Sequence, residues 1–357
     1  MKKKITTSIF SVFLFYSVFS QTDSTKTSPL PTITGSVDVY YRYNFANAKD
    51  PATGETITNN YTSFTNSQNS FELGMASIQA AHSFGKANAF IDVGFGRRAE
   101  EFSYANPDHT TLSAVKQAYF SYAISDKFKL TMGKWATHIG YELVDAYLNR
   151  NYSMDYMFSY GPFSHTGLKA DIGLGGKSAL MIGVANPSDN VTTLSSRKFA
   201  LAQFSTGTAD DKVKAYLNYQ GTYGGSYSLS QFDLVVTATV TDMFSIGYNG
   251  TVESVKPDGG SSDSWWGSAL YFNVDPISTF GITLRGEYFD NKKGLLSIGS
   301  IPTSIFDVTL SPNFKVGNLT IIPELRLDAG KDNIFFDHDG NSTKSTFTGI
   351  LAATYHF

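Results

Sequence analysis

Apolar and polar residues alternate along this chain with a period of two. In residues 33–45 the odd positions are apolar, aromatic or glycine, and most even positions are polar. In residues 347–357 the alternation ends on an aromatic residue, Phe357. Because successive side chains of a strand point to opposite faces, each segment predicts a strand with one apolar face. Both segments are longer than soluble strands of about five or six residues.

The pattern recurs in about sixteen segments, an even number as in single-chain bacterial membrane barrels. Clear examples are residues 87–95, 213–220, 231–240, 282–288, 306–314 and 319–328. The pattern is weakest in residues 198–206 and in residues 71–82, where its phase slips after Met75. Pro323 has no amide hydrogen, so it predicts a bulge or a lost hydrogen bond between strands.

The connections between these segments alternate between two kinds. The short ones are residues 83–86, 125–126, 173–176, 208–211, 241–242, 275–276 and 317–318. The longer, more polar ones are residues 46–69, 98–112, 137–163, 187–196, 256–263, 291–302 and 331–344, with residues 224–228 as a short exception. This asymmetry is typical of outer-membrane barrels, which have short periplasmic turns and long extracellular loops. We therefore predict an all-β fold, a transmembrane antiparallel up-and-down barrel of about sixteen strands around an aqueous lumen.

The two ends of the chain fit an exported membrane protein. Three lysines and a short apolar run in residues 1–20 predict a secretory signal peptide. Residues 21–31 predict a flexible N-terminal spacer, and residues 32–357 the outer-membrane β-barrel. The final strand closes the sheet on the first, and Phe357 resembles the signal that the barrel assembly machinery reads.

Composition narrows the function classes. The formal net charge is −3, and removal of the signal peptide with its three lysines would give −6, which predicts no nucleic-acid partner. There is no cysteine, and no later segment has the length of a membrane-spanning helix. Phe (28), Tyr (21) and Gly (31) are abundant, and aromatic side chains favour membrane interfaces. We expect membrane lipids around the barrel, and the sequence leaves open whether it forms a homo-oligomer.

The polar faces of the strands predict the lining of the lumen. Its candidate pore-wall residues are Arg42, Arg285, Glu287, Glu324, Arg326 and Asp328. Other predicted inward charges are Asp38, Asp92, Lys116, Lys214, Asp233, Glu253 and Asp307. These charges either orient polar solutes or pair with one another across neighbouring strands. Because both signs occur, we expect no strong ion selectivity.

The third long connection, residues 137–163, is the main candidate for a functional loop. Its charged residues are Glu142, Asp145, Arg150 and Asp155, and it also carries Tyr141, Tyr147, Tyr152, Tyr156 and Phe158. Long loops without periodic structure are usually functional or disordered. The loop either folds inward as a pore constriction or forms a packed cap on the surface.

A set of short motifs lies in and around this loop: Gly133, Gly140-Tyr141-Glu142, Asn149, Asn151-Tyr152-Ser153, Pro162, His165 and Gly167. They resemble the OmpL-like family of β-barrel porins. Downstream, Arg285-Gly286-Glu287-Tyr288-Phe289 and residues 323–328 are similar to the family's penultimate strands. The chain departs from the family at Met154-Asp155 and at Asn186-Pro187-Ser188-Asp189. The resemblance implies an outer-membrane porin of a Gram-negative, Bacteroidetes-like cell with no assigned substrate.

Other motifs carry little chemistry. Residues 337–341 have acidic groups at calcium-loop spacing, but Ser342 and Thr348 replace the required glycine and glutamate, so we expect no metal and no cofactor. A barrel enzyme, either a lipid hydrolase or a protease, would need a serine–histidine pair at the rim, and His138 and His165 are its candidates. We expect a non-enzymatic channel for passive diffusion of small polar solutes, with such an enzyme or a structural or adhesive barrel as alternatives.

Overall fold

Sixteen antiparallel strands close into a barrel in a computed structural model, which describes residues 30–104 and 111–357. The predicted signal peptide and residues 21–29 of the spacer lie outside the described residues. The barrel strands are β1 (Thr32–Asn44), β2 (Ser70–Phe84), β3 (Ala87–Phe95), β4 (Val115–Ser125), β5 (Phe128–Ala136), β6 (Ser164–Gly175), β7 (Ser178–Ala185), β8 (Phe199–Gly207), β9 (Val213–Thr222), β10 (Tyr227–Thr239), β11 (Phe244–Pro257), β12 (Asp263–Ile277), β13 (Phe280–Asp290), β14 (Ser304–Val316), β15 (Leu319–Gly330) and β18 (Ser345–His356). This confirms the predicted barrel and its strand number.

Neighbouring strands in the chain are neighbours in the barrel, and β18 pairs with β1 to close it. Ser36 lies opposite His356, and Gly35 and Phe357 exchange both backbone hydrogen bonds, at 2.9 and 3.1 Å. Closure leaves no strand edge unpaired, as a membrane requires because lipid offers no hydrogen bonds.

The alternation places apolar side chains outside and polar side chains inside. On β1, Val37 is 40% exposed and Asp38 only 4%. Outward-facing aromatic rings gather near both ends of the strands, as in the pairs Tyr41–Phe71 and Tyr355–Phe357. Such bands of aromatic residues mark the two membrane interfaces of a barrel.

Irregularities occur where the sequence predicts them. The slip near Met75 is a register shift, because Asp38 pairs with Met75 while the following residue pairs with Leu73, which leaves Gly74 unpaired. The pairing of β14 and β15 is interrupted between Leu310 and Phe314, a stretch that includes Pro312 and lies opposite Pro323.

The prediction of a turn at residues 275–276 is wrong: both belong to β12, and the turn lies at residues 278–279.

The connections keep the predicted alternation of length. Short turns occupy residues 85–86, 126–127, 176–177, 208–212, 240–243, 278–279 and 317–318. The opposite end carries the long loops, with the helices α1 (Arg97–Phe102) and α2 (Tyr156–Tyr160) and a hairpin of β16 (Phe335–Phe336) and β17 (Ser342–Thr343). Among the described residues, no helix has both the length and the hydrophobicity needed to cross a bilayer.

Candidate functional site in the barrel lumen

Residues 137–163, the third loop, fold into the barrel. The loop leaves β5 and returns to β6, and between them it forms one 3₁₀ turn, Ala146–Leu148, and the helix α2. Its polar groups bond to inward-facing side chains of β1, β4 and all strands from β10 to β15. Of the two arrangements that the sequence allows, the structure has the inward one.

Two glutamates of the barrel wall each hold the loop by two backbone amides. Glu324 on β15 accepts hydrogen bonds from the amides of Tyr152 and the next residue, at 2.7 and 3.0 Å. Glu287 on β13 accepts from the amides of Tyr156 and the next residue, at 2.7 and 2.9 Å. We call Glu287 and Glu324 the carboxylate clamps. Each oxygen of these two carboxyl groups accepts an amide N–H, an arrangement that favours the ionised form, and hydrogen bonds to an ionised acceptor are stronger than neutral ones. These four bonds are therefore a large part of the loop's attachment.

Tyrosine hydroxyls tie the same segment to carboxylates of β1 and β15. The Tyr152 hydroxyl donates to Asp38 on β1 at 2.5 Å, and the Tyr156 hydroxyl donates to Asp328 on β15 at 2.9 Å. Arg98 of α1 donates to the Tyr152 carbonyl at 3.3 Å, and its guanidinium lies 5.0 Å from the centre of the Tyr152 ring. The connection between β3 and β4, which contains α1, therefore helps to hold the third loop in the lumen.

A buried ladder of alternating charges lies beneath the loop. Arg285 contacts Glu142 of the loop at 2.7 Å and Asp307 on β14 at 3.1 Å. Arg326 contacts Asp307 and Asp328, both at 2.8 Å. The wall charges therefore pair with one another across neighbouring strands, which is one of the two arrangements that the sequence leaves open. Asp307 is the partner that the two arginines share, whereas Glu287 and Glu324 bind the third loop.

Glu142 shares its surroundings with a second carboxylate. The Tyr271 hydroxyl lies 2.7 Å from an oxygen of Asp155 and 3.3 Å from one of Glu142. Burial and the nearby Asp155 carboxylate raise the pKa of Glu142 to about 8, against the opposing effect of Arg285. Asp155 also caps α2, because its side chain accepts the Phe158 amide at 2.6 Å.

The tip of the loop reaches the end of the barrel that carries the short turns. Arg150 pairs with Asp275 on β12, and Lys315 on β14 contacts the same carboxylate at 3.1 Å. The Tyr147 ring stacks on His356, the last residue of β18, with 5.0 Å between ring centres. The loop therefore passes through most of the depth of the lumen.

Three inward-facing glycines make room for loop side chains. A Cβ atom at Gly247 would lie 2.7 Å from the Tyr141 ring, and one at Gly267 would lie 2.4 Å from the Met157 side chain. At Gly74 an added Cβ would overlap the carboxylate that receives the Tyr152 hydroxyl. Sequence reasoning missed these positions, because a glycine on a polar face gives no sign of what lies over it.

The loop packs the middle of the barrel. Each of the sixteen strands has at least one inward-facing side chain that is buried. One such set is Asp38, Ser77, Asp92, Gln117, Thr131, His165, Met181, Gln203, Asn218, Asp233, Asn249, Tyr271, Arg285, Thr309, Glu324 and Ile350. Nearer the short turns, by contrast, inward residues of β3–β6 such as Phe90, Tyr119, Lys129 and Lys169 are partly exposed. We call the space that these four residues line the periplasmic vestibule.

A family model described as "Putative beta-barrel porin-2, OmpL-like" matches residues 31–357, which include the whole of the barrel that is described above. The chain belongs to this family. It is an outer-membrane porin, and the resemblance seen in the sequence motifs is confirmed. No curated protein sequence matches the chain.

Solved porins and channels share the fold. The anion-selective porin from Comamonas acidovorans superimposes with a TM-score of 0.62 at 12% identity, over 93% of this chain and 100% of that one. The outer-membrane channel DcaP of Acinetobacter baumannii gives 0.58 at 12% identity, over 92% and 97%. OmpT of Vibrio cholerae in a trimer form gives 0.55 at 11% identity, over 92% and 100%. At these identities the likeness concerns the fold.

The structure does not bring the predicted site residues of this porin together in one place. Glu142 contacts the pore-wall candidate Arg285 on β13, and Asp155 shares the Tyr271 hydroxyl with Glu142 beneath the loop. Asp145 instead contacts the buried Lys116 at 2.5 Å, which also binds Asp92 at 3.1 Å. Arg42 lies apart from the third loop and donates to the carbonyl oxygens of Thr58 and Ser67, in the connection between β1 and β2. The candidate set thus contains one central cluster and separate anchoring points.

The two candidate histidines lie inside the porin and not at its rim. Nε2 of His138 lies 3.1 Å from the Tyr219 carbonyl, and Nε2 of His165 lies 3.1 Å from the Thr137 hydroxyl. Within the described part of the chain, neither imidazole has a serine as a hydrogen-bond partner. The geometry offers no support for a serine hydrolase at these residues.

Proposed function

We propose that this porin is a passive diffusion channel for small polar solutes, and that the third loop sets the width of its bore. The observation that carries the proposal is the course of the loop, which enters the lumen and bonds to the inner faces of at least eight of the sixteen strands. Sixteen strands alone would enclose an aqueous channel, so the bore is determined by what fills it.

Solute passage in this proposal depends on the attachment of the loop. The buried set of inward side chains encircles the barrel, so the docked loop is the narrow state of the channel. Glu142, Asp145, Arg150 and Asp155 form the constriction in this proposal. The wall contributes Arg285, Glu287, Glu324, Arg326 and Asp328, whose charges largely offset one another and leave a weak field.

The membrane assignment includes further proposals. The outer face contacts lipid, Phe357 is the residue that the barrel assembly machinery reads, and the cell is Gram-negative and Bacteroidetes-like. The trimer form of the similar OmpT supports a homo-oligomer of this chain as well. The signal peptide at residues 1–20 belongs to the same proposal.

Planar-bilayer recording tests the channel. A variant in which a short Gly-Ser linker replaces residues 141–158 should give step-like conductance well above that of the intact protein. Liposome swelling with sugars of graded size should show a larger size limit for the same variant. Equal conductance of the two folded proteins would remove the loop from the mechanism.

The packed middle of the barrel favours one alternative, a structural or adhesive barrel whose outer loops do the binding. It predicts no solute flux through the intact protein at any applied voltage. Flux through the intact protein that scales with solute size would exclude it and support the channel.

A further inference from the structure

Four side chains meet on the inner wall where the third loop joins β5 and β6. Trp135 and His165 face each other across these strands, with 6.3 Å between their rings, and His138 lies 5.1 Å from His165. The Nζ atom of Lys169 lies 5.3 Å from the centre of the Trp135 ring. We call Trp135, His138, His165 and Lys169 the lysine–imidazole cluster.

Three ring nitrogens of this cluster are buried without a hydrogen-bond partner. They are Nε1 of Trp135, Nδ1 of His138 and Nδ1 of His165, in residues that are 4%, 5% and 0% exposed. Native proteins satisfy nearly all buried polar atoms, so three unpaired nitrogens in one place indicate a missing partner.

The cluster also has a surplus of positive charge. Asp171, the acidic group on the same face of β6, lies 3.4 Å from Lys129. Among the described residues, 30–104 and 111–357, no carboxylate lies within ion-pair distance of Lys169. Asp171 therefore pairs with Lys129, and Lys169 has no carboxylate partner of its own.

The donors of the cluster match an oxyanion. Trp135 has one N–H, Lys169 has three, and His165 presents Nδ1–H if the Thr137 hydroxyl donates to its Nε2. His138 donates to the Tyr219 carbonyl through Nε2, so its neutral Nδ1 is an acceptor, which a protonated oxygen of the ligand satisfies.

We propose that the lysine–imidazole cluster binds a small oxyanion, such as hydrogen phosphate or an organic acid, at the inner end of the periplasmic vestibule. Lys169 is partly exposed there, whereas the three rings are buried, so the lysine is the first contact and the rings complete the site. This inference deepens the proposed function, on which it rests, because it names a class of solute that the channel selects.

Tryptophan fluorescence of the full-length protein in detergent tests the binding step without any transport. The chain has three tryptophans, and Trp135→Phe removes the one in the cluster. Inorganic phosphate, added at constant ionic strength with chloride as the reference, should change the emission saturably in the wild type and not in W135F. Lys169→Gln should weaken the apparent affinity at least tenfold.

Lys315→Gln is the matched control, because Lys315 also faces the lumen but shares its carboxylate with Arg150. Its phosphate affinity should equal that of the wild type. A response to phosphate no larger than that to chloride, or an equal loss in the Lys169 and Lys315 variants, would overturn the proposal and leave water as the partner of the unpaired nitrogens.

Bilayer recording separates the two proposals. Phosphate should reduce the chloride current of the wild type at the concentration that half-saturates the fluorescence change, and K169Q should abolish this block. A channel that conducts chloride but is indifferent to phosphate would refute the oxyanion site and keep the channel. A protein that binds phosphate in detergent but never conducts would refute the channel and keep the site.

Discussion

The carboxylate clamps give the sharpest test of how the loop controls the bore. Glu287 and Glu324 each accept two amide hydrogens of the third loop at 2.7–3.0 Å, and both are buried. In Glu287→Gln and Glu324→Gln, one oxygen becomes an NH₂ group that faces an amide N–H, and the remaining hydrogen bond loses its charge. We expect the double variant to release the loop and raise the single-channel conductance.

The size of the effect follows from the bonds. A hydrogen bond to a charged group contributes about 1.5–3 kcal/mol, and a neutral one roughly half as much. Losing one bond and weakening the other costs about 2–4 kcal/mol for each clamp, which lowers the ratio of docked to undocked loop about 30- to 1,000-fold. The combined effect of both substitutions should make the wide state visible in planar bilayers.

Glu253→Gln is the control for this experiment. Glu253 also lies on the inner face of the barrel, but its bonded partner is the Trp265 indole at 3.1 Å and not the third loop. All variants should keep the heat-dependent electrophoretic mobility of a folded barrel. If the double variant folds and its conductance distribution matches those of E253Q and the wild type, the clamps do not control the bore.

Three further predictions address the same loop. Gly267→Ala places a Cβ 2.4 Å from the Met157 side chain. This variant should raise the conductance and lower the urea midpoint of unfolding by the equivalent of about 1–3 kcal/mol. Gly286→Ala is the control, because a Cβ there meets open space and should change neither quantity. The pKa of Glu142 is raised to about 8 in the docked loop, so its contribution to docking is complete below pH 4.5 and is lost as pH rises from 4.5 through 8. Conductance should increase over this window, and Glu142→Gln should flatten the profile. Lys116→Met leaves two buried carboxylates without their cation, so equilibrium unfolding in urea should show a loss of about 3–5 kcal/mol.

The periodicity of the sequence was sufficient for the barrel. Alternation with a period of two, in segments longer than soluble strands, determines which face meets lipid, and the lengths of the connections determine which end carries the loops. Even local defects followed from single residues, such as the slip beside Met75 and the interruption at Pro323. These features depend on the chemistry of neighbouring residues, which a sequence displays directly.

The interior of the barrel was decided by tertiary structure. Residues 137–163 are suited both to a surface cap and to an inward loop, and their position depends on groups far away in the chain, such as Glu324. Asp307 joins two arginines because three strands lie side by side, and Gly267 matters because a loop side chain covers it. Contacts between residues that are distant from each other in the chain have no local pattern, so only the closed barrel shows them.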